Sequence, residues 1–313
     1  MSIKRTQNKI AESRKALPVT IFYSALVWLV IILHDTNVWI EGVLTLASAI
    51  VLMVLNNHCA LIPFYSRSVS CTFLVLSTMV ACTVTSLTGT IVGACFALFY
   101  LIIFNSYQEK QAPGIVYLAF IFLGITSIYF IQILYFLPIL WLIMQTMLMN
   151  LSLRTFFASL LGILTPYWFL LGYKVYTGDL IIYLDHFLGL ARFGLPLDFS
   201  SFTLFHYVNL VTVTLLGVIG IVHFYLTSYT DKIRTRMFYE CFTTIFLITL
   251  AFIIAQPCQF PDLFAILVVS ASPLFARFFT LSHSKVSNIM FLVILSLTIA
   301  YTVFNLWIRS TSY

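Results

Sequence analysis

The chain alternates between long apolar segments and short polar ones over most of its length. A helix needs about 20 apolar residues to cross about 30 Å of hydrocarbon. The segments are continuously apolar, unlike the alternating strands of a membrane barrel. The pattern predicts an all-α, polytopic transmembrane helix bundle of about eleven spans, within a range of ten to twelve. The spans are predicted near residues 17–33, 38–55, 69–87, 90–105, 114–131, 134–149, 155–173, 204–226, 238–256, 260–280 and 288–308.

Two apolar runs are too long for one crossing. Residues 69–104 and 114–149 would each form a helix of about 54 Å. Each run must therefore fold back, as a full hairpin or as a re-entrant pair. The first turn is predicted at Ser86–Thr90, where Gly stands among clustered hydroxyls, and the second at Tyr129–Gln132.

The basic residues sort to one side of this topology. The predicted inside segments hold 13 of the 16 Lys and Arg residues, and six of the ten acids fall outside. Lys and Arg favour the cytoplasmic side of a membrane. We therefore expect a cytoplasmic (inner) membrane protein with a cytoplasmic N-terminus and an external C-terminus. Residues 1–16 form the basic cytoplasmic N-terminus, followed by an uncleaved signal-anchor as the first span.

Composition agrees with this topology. The chain is 61% hydrophobic and only 8% charged, whereas a soluble domain has about 25% charged residues. Soluble enzymes, disordered chains and disulfide frameworks are excluded, and residues 1–313 are expected to form a single integral membrane domain. The net charge of +6 indicates contact with anionic membrane lipids rather than with nucleic acid, because no basic patch with interleaved aromatics is present.

The longest segment between spans is residues 174–203, on the predicted external side. Apolar and polar residues are interspersed there, which predicts an amphipathic or re-entrant helix near 179–192. Loops held by a rigid scaffold often carry function, so this segment is a candidate site. A surface helix that seals the bundle is the alternative.

The candidate catalytic residues are Asp35 in the first external loop, and Asp185 and His186 in the segment 174–203. A carboxylate at the mouth of the bundle can act as a base or bind a metal. The alternative for Asp35 is a solvated turn, to which Asp and the neighbouring Asn are suited. The same outer rim also carries four further polar residues, Glu41, Asp198, His206 and Asp262.

Ionisable residues are scarce in the middle of the spans. Glu41, Glu240, Asp262 and Arg277 all lie near span ends, where side chains are expected to reach water. This placement argues against an ion-coupled pump with a mid-membrane relay. No cofactor and no metal site is predicted, because the cysteines have no ligand spacing and no nucleotide motif is present.

Small residues indicate a close helix contact. Gly89 and Gly93 form a GxxxG pattern, with Ala97 four residues further on the same face. Such a face lets two helix backbones approach each other. The partner is either a helix of this chain or another membrane protein.

Several short motifs carry a resemblance. They are Tyr135-Phe136-Leu137-Pro138, Ser152-Leu153-Arg154, Leu161–Tyr167, Arg234-Thr235-Arg236 and Ser272-Pro273-Leu274. In these motifs the chain resembles a family of multi-pass inner-membrane proteins of the Bacteroidetes that has no established activity. The resemblance implies location and topology only.

Three functions stay open at this point. Kinked helices with few buried charges suit the handling or transport of a lipid or amphipathic solute. The GxxxG face suits a non-catalytic component of a membrane complex. The alternative is an enzyme resembling the membrane glycosyltransferases that use a polyprenyl-linked sugar at the outer face, because such enzymes place an Asp in their first external loop, as Asp35 is here. Their first loop is long, however, and this one has about four residues.

Overall fold

A computed structural model describes residues 5–81, 83–84, 86–178, 185–191, 196–200 and 202–311. This part of the chain is all helical and contains no strand. Twelve α-helices of seven residues or more form it, joined by short 3₁₀ turns. They are α1 (Thr6–Glu12), α2 (Ala16–His34), α3 (Trp39–Cys59), α4 (Ser68–Val80), α5 (Leu87–Ile103), α6 (Pro113–Tyr129), α7 (Leu137–Thr146), α8 (Leu153–Thr177), α9 (Leu204–Thr227), α10 (Ile233–Ala255), α11 (Phe260–Leu281) and α12 (Lys285–Thr311).

The eleven apolar segments each coincide with a helix, from α2 to α12. Eight helices of the described chain are long and apolar enough to cross a membrane, which confirms the helical membrane bundle. The other three, α4, α6 and α7, are shorter apolar helices. At 13 and 10 residues, α4 and α7 reach only about 20 and 15 Å. Eleven complete crossings therefore stay a prediction.

Both long apolar runs are interrupted near the predicted turns, although the first break lies between Val80 and Leu87, so that Leu87–Thr90 of the predicted turn form the first turn of α5. The first run breaks after α4, and Ser86 caps α5 by accepting a hydrogen bond from the backbone N–H of Gly89. The second run breaks after Tyr129, and a 3₁₀ turn over Ile131–Phe136 leads into α7. A side chain that satisfies a free N–H stabilises the start of a helix, which explains the position of the first break.

Helix α11 forms the centre of the bundle. Within its apolar window, 94% of the residues are buried, against 22% for α2 and 17% for α12. It packs against α4, α5, α9 and α10. A helix that is apolar on every face is stable only where protein or lipid surrounds it. Helices α2 and α12 therefore form the periphery.

Glycine contacts mark several close helix approaches. A Cβ at Gly89 would lie 2.6 Å from the carbonyl oxygen of Pro261, so α5 meets α11 backbone to backbone. Gly124 on α6 and Gly162 on α8 show similarly close contacts, each with the backbone of the other helix. The close contact predicted at the GxxxG face is confirmed. Helix α11 of the same chain covers this face. The sequence pattern had left open whether the partner is a helix of this chain or another membrane protein.

The loops gather at two ends of the bundle. At the basic end, which collects the predicted inside segments, Ser66 donates to the carbonyl of Ala11, and Gln7 donates to the carbonyl of Ser282. At the acidic end, which collects the predicted outside segments, Asn209 donates to Thr83. Which end faces the cytoplasm stays a prediction.

The segment 174–203 is described only in part. Of the helix expected near 179–192, residues 179–184 and 192 lie outside the described residues. The described part makes one helical turn at 185–188 and a 3₁₀ turn at Gly189–Ala191. The hydroxyl of Tyr135 donates to the carbonyl of Leu190 at 2.6 Å, which attaches this segment to the bundle.

Candidate functional site

Asp35 occupies a local turn at the acidic end. It follows the last residue of α2, and its carboxylate accepts a hydrogen bond from the backbone N–H of Asn37 at 3.0 Å. This bond caps the 3₁₀ turn Thr36–Val38 that leads into α3. The arrangement is the one expected of a turn-forming Asp.

His186 packs onto two helices of the bundle, whereas Asp185 beside it is exposed. The Nε2 atom of His186 lies 3.1 Å from the carbonyl oxygen of Ser127 on α6 and 3.4 Å from the hydroxyl of Tyr167 on α8. The carbonyl can only accept, so Nε2 donates to Ser127 when it carries the proton. These contacts position the segment 185–191 on the bundle.

Asp198 and His206 also make hydrogen bonds to the backbone of their own turns. Asp198 accepts the backbone N–H of Ser200 at 3.0 Å, and this bond lowers the pKa of the exposed carboxyl. His206 accepts the backbone N–H of Thr203 at the start of α9. Hydrogen bonds among the described residues do not join Asp35, His186 and Asp262, and no three His, Cys, Asp or Glu residues there could share a metal.

Asp262 makes a different kind of contact, because it joins two helices. It lies in the first turn of α11 and accepts the hydroxyl of Thr88 at 2.5 Å. The hydroxyl of Ser86 lies 3.3 Å from the same carboxylate oxygen and 2.6 Å from the hydroxyl of Thr88. The carboxylate therefore ties the start of α5 to the start of α11.

Beside this contact lies a partly open cavity of about 80 Å³, which we call the hydroxyl-lined cavity. A single water needs about 10–15 Å³ on the same measure, so several waters or a small head group would fit. Helices α2, α3, α4, α5 and α11 surround it. Its polar lining consists of Thr45, Ser48, Ser77, Ser86 and Thr90, and its aromatic lining consists of Trp28, Phe73 and Phe264.

The glycines of the GxxxG face help to form this cavity. Gly89 and Gly93 both line it, opposite Pro261 and Ala265 of α11. Because neither glycine has a side chain, the two helices approach closely and space remains beside the contact. The sequence pattern identified the contact. It did not indicate the cavity, because the hydroxyls on α3 and α4 are distant in sequence.

A second polar region lies at the basic end, around Arg277, and we call it the Arg277 cluster. Arg277 is fully buried, and its guanidinium lies 2.6 Å from the carboxylate of Asp231. It also donates to the hydroxyl of Thr227 at 3.0 Å. The guanidinium carbon lies 4.9 Å from the ring centre of Tyr239 and 5.3 Å from that of Phe224. Cation–π attraction acts over such distances.

Two sequence expectations are wrong here. Arg277 does not reach water from its span end, because it is 0% exposed and points to the turn between α9 and α10. Glu41, expected to reach water in the same way, is 7% exposed. A residue's distance from the end of its own helix does not reveal that another element covers it. That is why the pattern missed both.

The comparisons with known proteins give no relative. No family model, no curated protein and no solved structure matches this chain. The resemblance drawn from its motifs stays an expectation. A functional assignment must therefore come from the sites themselves.

Proposed function

We propose that this chain handles lipids or other amphipathic solutes within the membrane, and that the hydroxyl-lined cavity is its binding site. The supporting observation is the cavity itself, which combines hydroxyls, aromatic rings and a neighbouring carboxylate inside an apolar bundle. Binding sites for small molecules are mostly apolar and contain a few placed polar groups. A polar head group with an apolar tail matches this combination.

The alternatives have less support. The GxxxG face, which favoured a role as a component of a complex, is occupied by α11 of the same chain. Asp35, which favoured a glycosyltransferase, accepts a backbone hydrogen bond within its own turn. Membrane lipids remain the partners we expect.

We also infer that the basic end faces the cytoplasm in the inner membrane, because Lys and Arg are enriched on that side. The C-terminus would then be external. A reporter enzyme that is active only outside the cytoplasm, fused after residue 313, should be active. An inactive reporter at that site, together with an active one fused after residue 230, would reverse the orientation.

The binding proposal is tested by filling the cavity. Ser77 lines it and donates to the carbonyl of Leu74. Ser77→Leu should place a bulky side chain in the space. The matched control is Ser296→Leu, because Ser296 is exposed on α12 and also donates to a carbonyl three residues before it.

The probes are hexylammonium, 1-hexanol and hexanoate, which share a six-carbon chain and differ in head group. Binding to the full chain in lipid nanodiscs is measured by ligand-detected NMR. We expect saturable binding of at least one probe to the wild type and to Ser296→Leu, and about tenfold weaker binding to Ser77→Leu. If no probe distinguishes Ser77→Leu from the wild type, the cavity is not a binding site.

A further inference from the structure

We propose that the hydroxyl-lined cavity receives a primary ammonium group carried on an apolar chain. This inference rests on the proposed function, because it names the ligand class for the same cavity. It follows from the direction of the hydrogen bonds in the cavity wall and from the sign of the nearest charge.

The four helical hydroxyls that line the cavity have already donated their protons. Thr45 donates to the carbonyl of Glu41 at 2.8 Å, and Ser48 donates to that of Leu44 at 2.7 Å. Thr90 and Ser77 donate in the same way to carbonyls of their own helices. A hydroxyl has one proton and two lone pairs, so each of these oxygens offers only lone pairs to a ligand.

The cluster of Ser86, Thr88 and Asp262 follows the same rule. Thr88 gives its proton to the carboxylate of Asp262, and Ser86 gives its proton to that carboxylate or to Thr88. Both protons stay within the cluster in either arrangement. Ser86 lines the cavity, so the negative charge of Asp262 lies one hydrogen bond away from the space.

The described residues that line the cavity include no Lys, Arg or His. They include one aromatic donor, Trp28, whose indole nitrogen is buried out of reach of water and has no hydrogen-bond partner in the described chain. Trp28, Phe73 and Phe264 line the cavity with aromatic rings, and a cation is attracted to the face of such a ring. Apart from the one indole N–H, the polar groups of the wall accept hydrogen bonds, and with the nearby carboxylate of Asp262 they favour positive charge.

An anionic head group suits this wall poorly. The start of a helix attracts anions in general, and the start of α11 already has the carboxylate of Asp262 in its first turn. A second anion there would meet like charge and hydroxyls that cannot donate. An alcohol can donate one hydrogen bond to the wall, whereas an ammonium group can donate three.

The test compares the three six-carbon probes on the full chain in nanodiscs. Hexylammonium should bind about tenfold more tightly than 1-hexanol, and hexanoate should bind more weakly than both. For each probe, the binding signal of Ser77→Leu is subtracted from that of the wild type. The subtraction removes the signal from nonspecific partition of the probe into the lipid.

Two further variants locate the effect. Thr45→Val removes one acceptor and keeps the shape, so hexylammonium should bind about two- to tenfold more weakly. Its matched control is Thr212→Val, because Thr212 donates to the carbonyl of Val208 in the same way on an exposed face of α9. Asp262→Asn should weaken hexylammonium about tenfold and leave 1-hexanol within about twofold.

The outcomes separate the two proposals. If 1-hexanol or hexanoate binds as tightly as hexylammonium, with a response to Ser77→Leu, the ammonium proposal is overturned and the binding site stands. Equal effects of Asp262→Asn on all three probes would also overturn it. If no probe responds to Ser77→Leu, the proposed function fails as well.

Discussion

The bundle contains two polar regions that use polarity in opposite ways. In the Arg277 cluster, the charges of Arg277 and Asp231 meet each other, and the rings of Phe224 and Tyr239 lie on the guanidinium. In the hydroxyl-lined cavity, the polar groups surround open space. Opposite charges that meet each other hold helices together, whereas lone pairs around a space can receive a ligand.

The two regions also differ in what they connect. The Arg277 cluster joins α9, the following turn, α10 and α11 at the basic end, and Tyr239 of this cluster also donates to the carbonyl of Leu61. The cavity lies where α5 and α11 touch at glycines. We therefore expect changes in the first region to reduce stability, and changes in the second to reduce binding.

The largest effect is expected from Arg277→Met. The substitution leaves Asp231, which is 11% exposed, without its ion-pair partner. Breaking a buried pair in this way costs about 3–5 kcal/mol. The free energy of unfolding in detergent should fall by that amount, whereas Arg154→Met at an exposed position should change it by less than about 0.5 kcal/mol.

A double variant examines the cause. If the unpaired carboxylate explains the loss, Arg277→Met combined with Asp231→Asn should be more stable than Arg277→Met alone. The folded fraction of both variants should still bind hexylammonium as the wild type does. A loss of binding without a loss of stability would contradict the separation of the two regions.

The sequence predicts some features of these two regions and misses others, because each sequence pattern reports only on residues that are close together in the chain. Apolar runs and their breakers are local, so the helices and the turn near Ser86 were predictable. The GxxxG pattern predicted a close contact at Gly89 and Gly93, but not that α11 provides it. The residues around Arg277 in the sequence do not indicate that Asp231, 46 positions earlier, forms an ion pair with it.

The candidate site was predictable only in part. Asp262 was recognised as a rim residue, and Thr88 and Thr90 belong to the hydroxyl run near the first turn. Thr45 and Ser48 join them only because α3 packs against α5. Isolated hydroxyls in a helix usually bond to their own backbone, so their sequence gave no sign that a cavity lies beside them.

An intermediate effect is expected from Gly89→Ala, which changes the second region through its packing. The added Cβ would lie 2.6 Å from the carbonyl oxygen of Pro261, so α5 must move away from α11. Overpacking of this kind costs about 1–3 kcal/mol. Hexylammonium binding and the unfolding free energy should both decrease.

The control for this substitution is Gly172→Ala on α8, where nothing lies within 4 Å of the added Cβ. Alanine favours a helix over glycine by about 1 kcal/mol, so this variant should be as stable as the wild type or more stable. If the two alanine variants show the same hexylammonium binding and the same unfolding free energy, the close contact between α5 and α11 does not determine the shape of the cavity.

The smallest effect is expected from Asp35→Asn, which lies outside both regions. Asn keeps a side-chain oxygen that can accept the backbone N–H of Asn37, and Asn and Asp are about equally effective as caps. Stability and hexylammonium binding should stay within about 0.5 kcal/mol of the wild type. Lipid-linked glycan in the cells should also be unchanged, because the bond requires only an acceptor and not a catalytic base. A variant that folds normally but loses glycan would instead favour the glycosyltransferase alternative, in which the charge of Asp35 performs the chemistry.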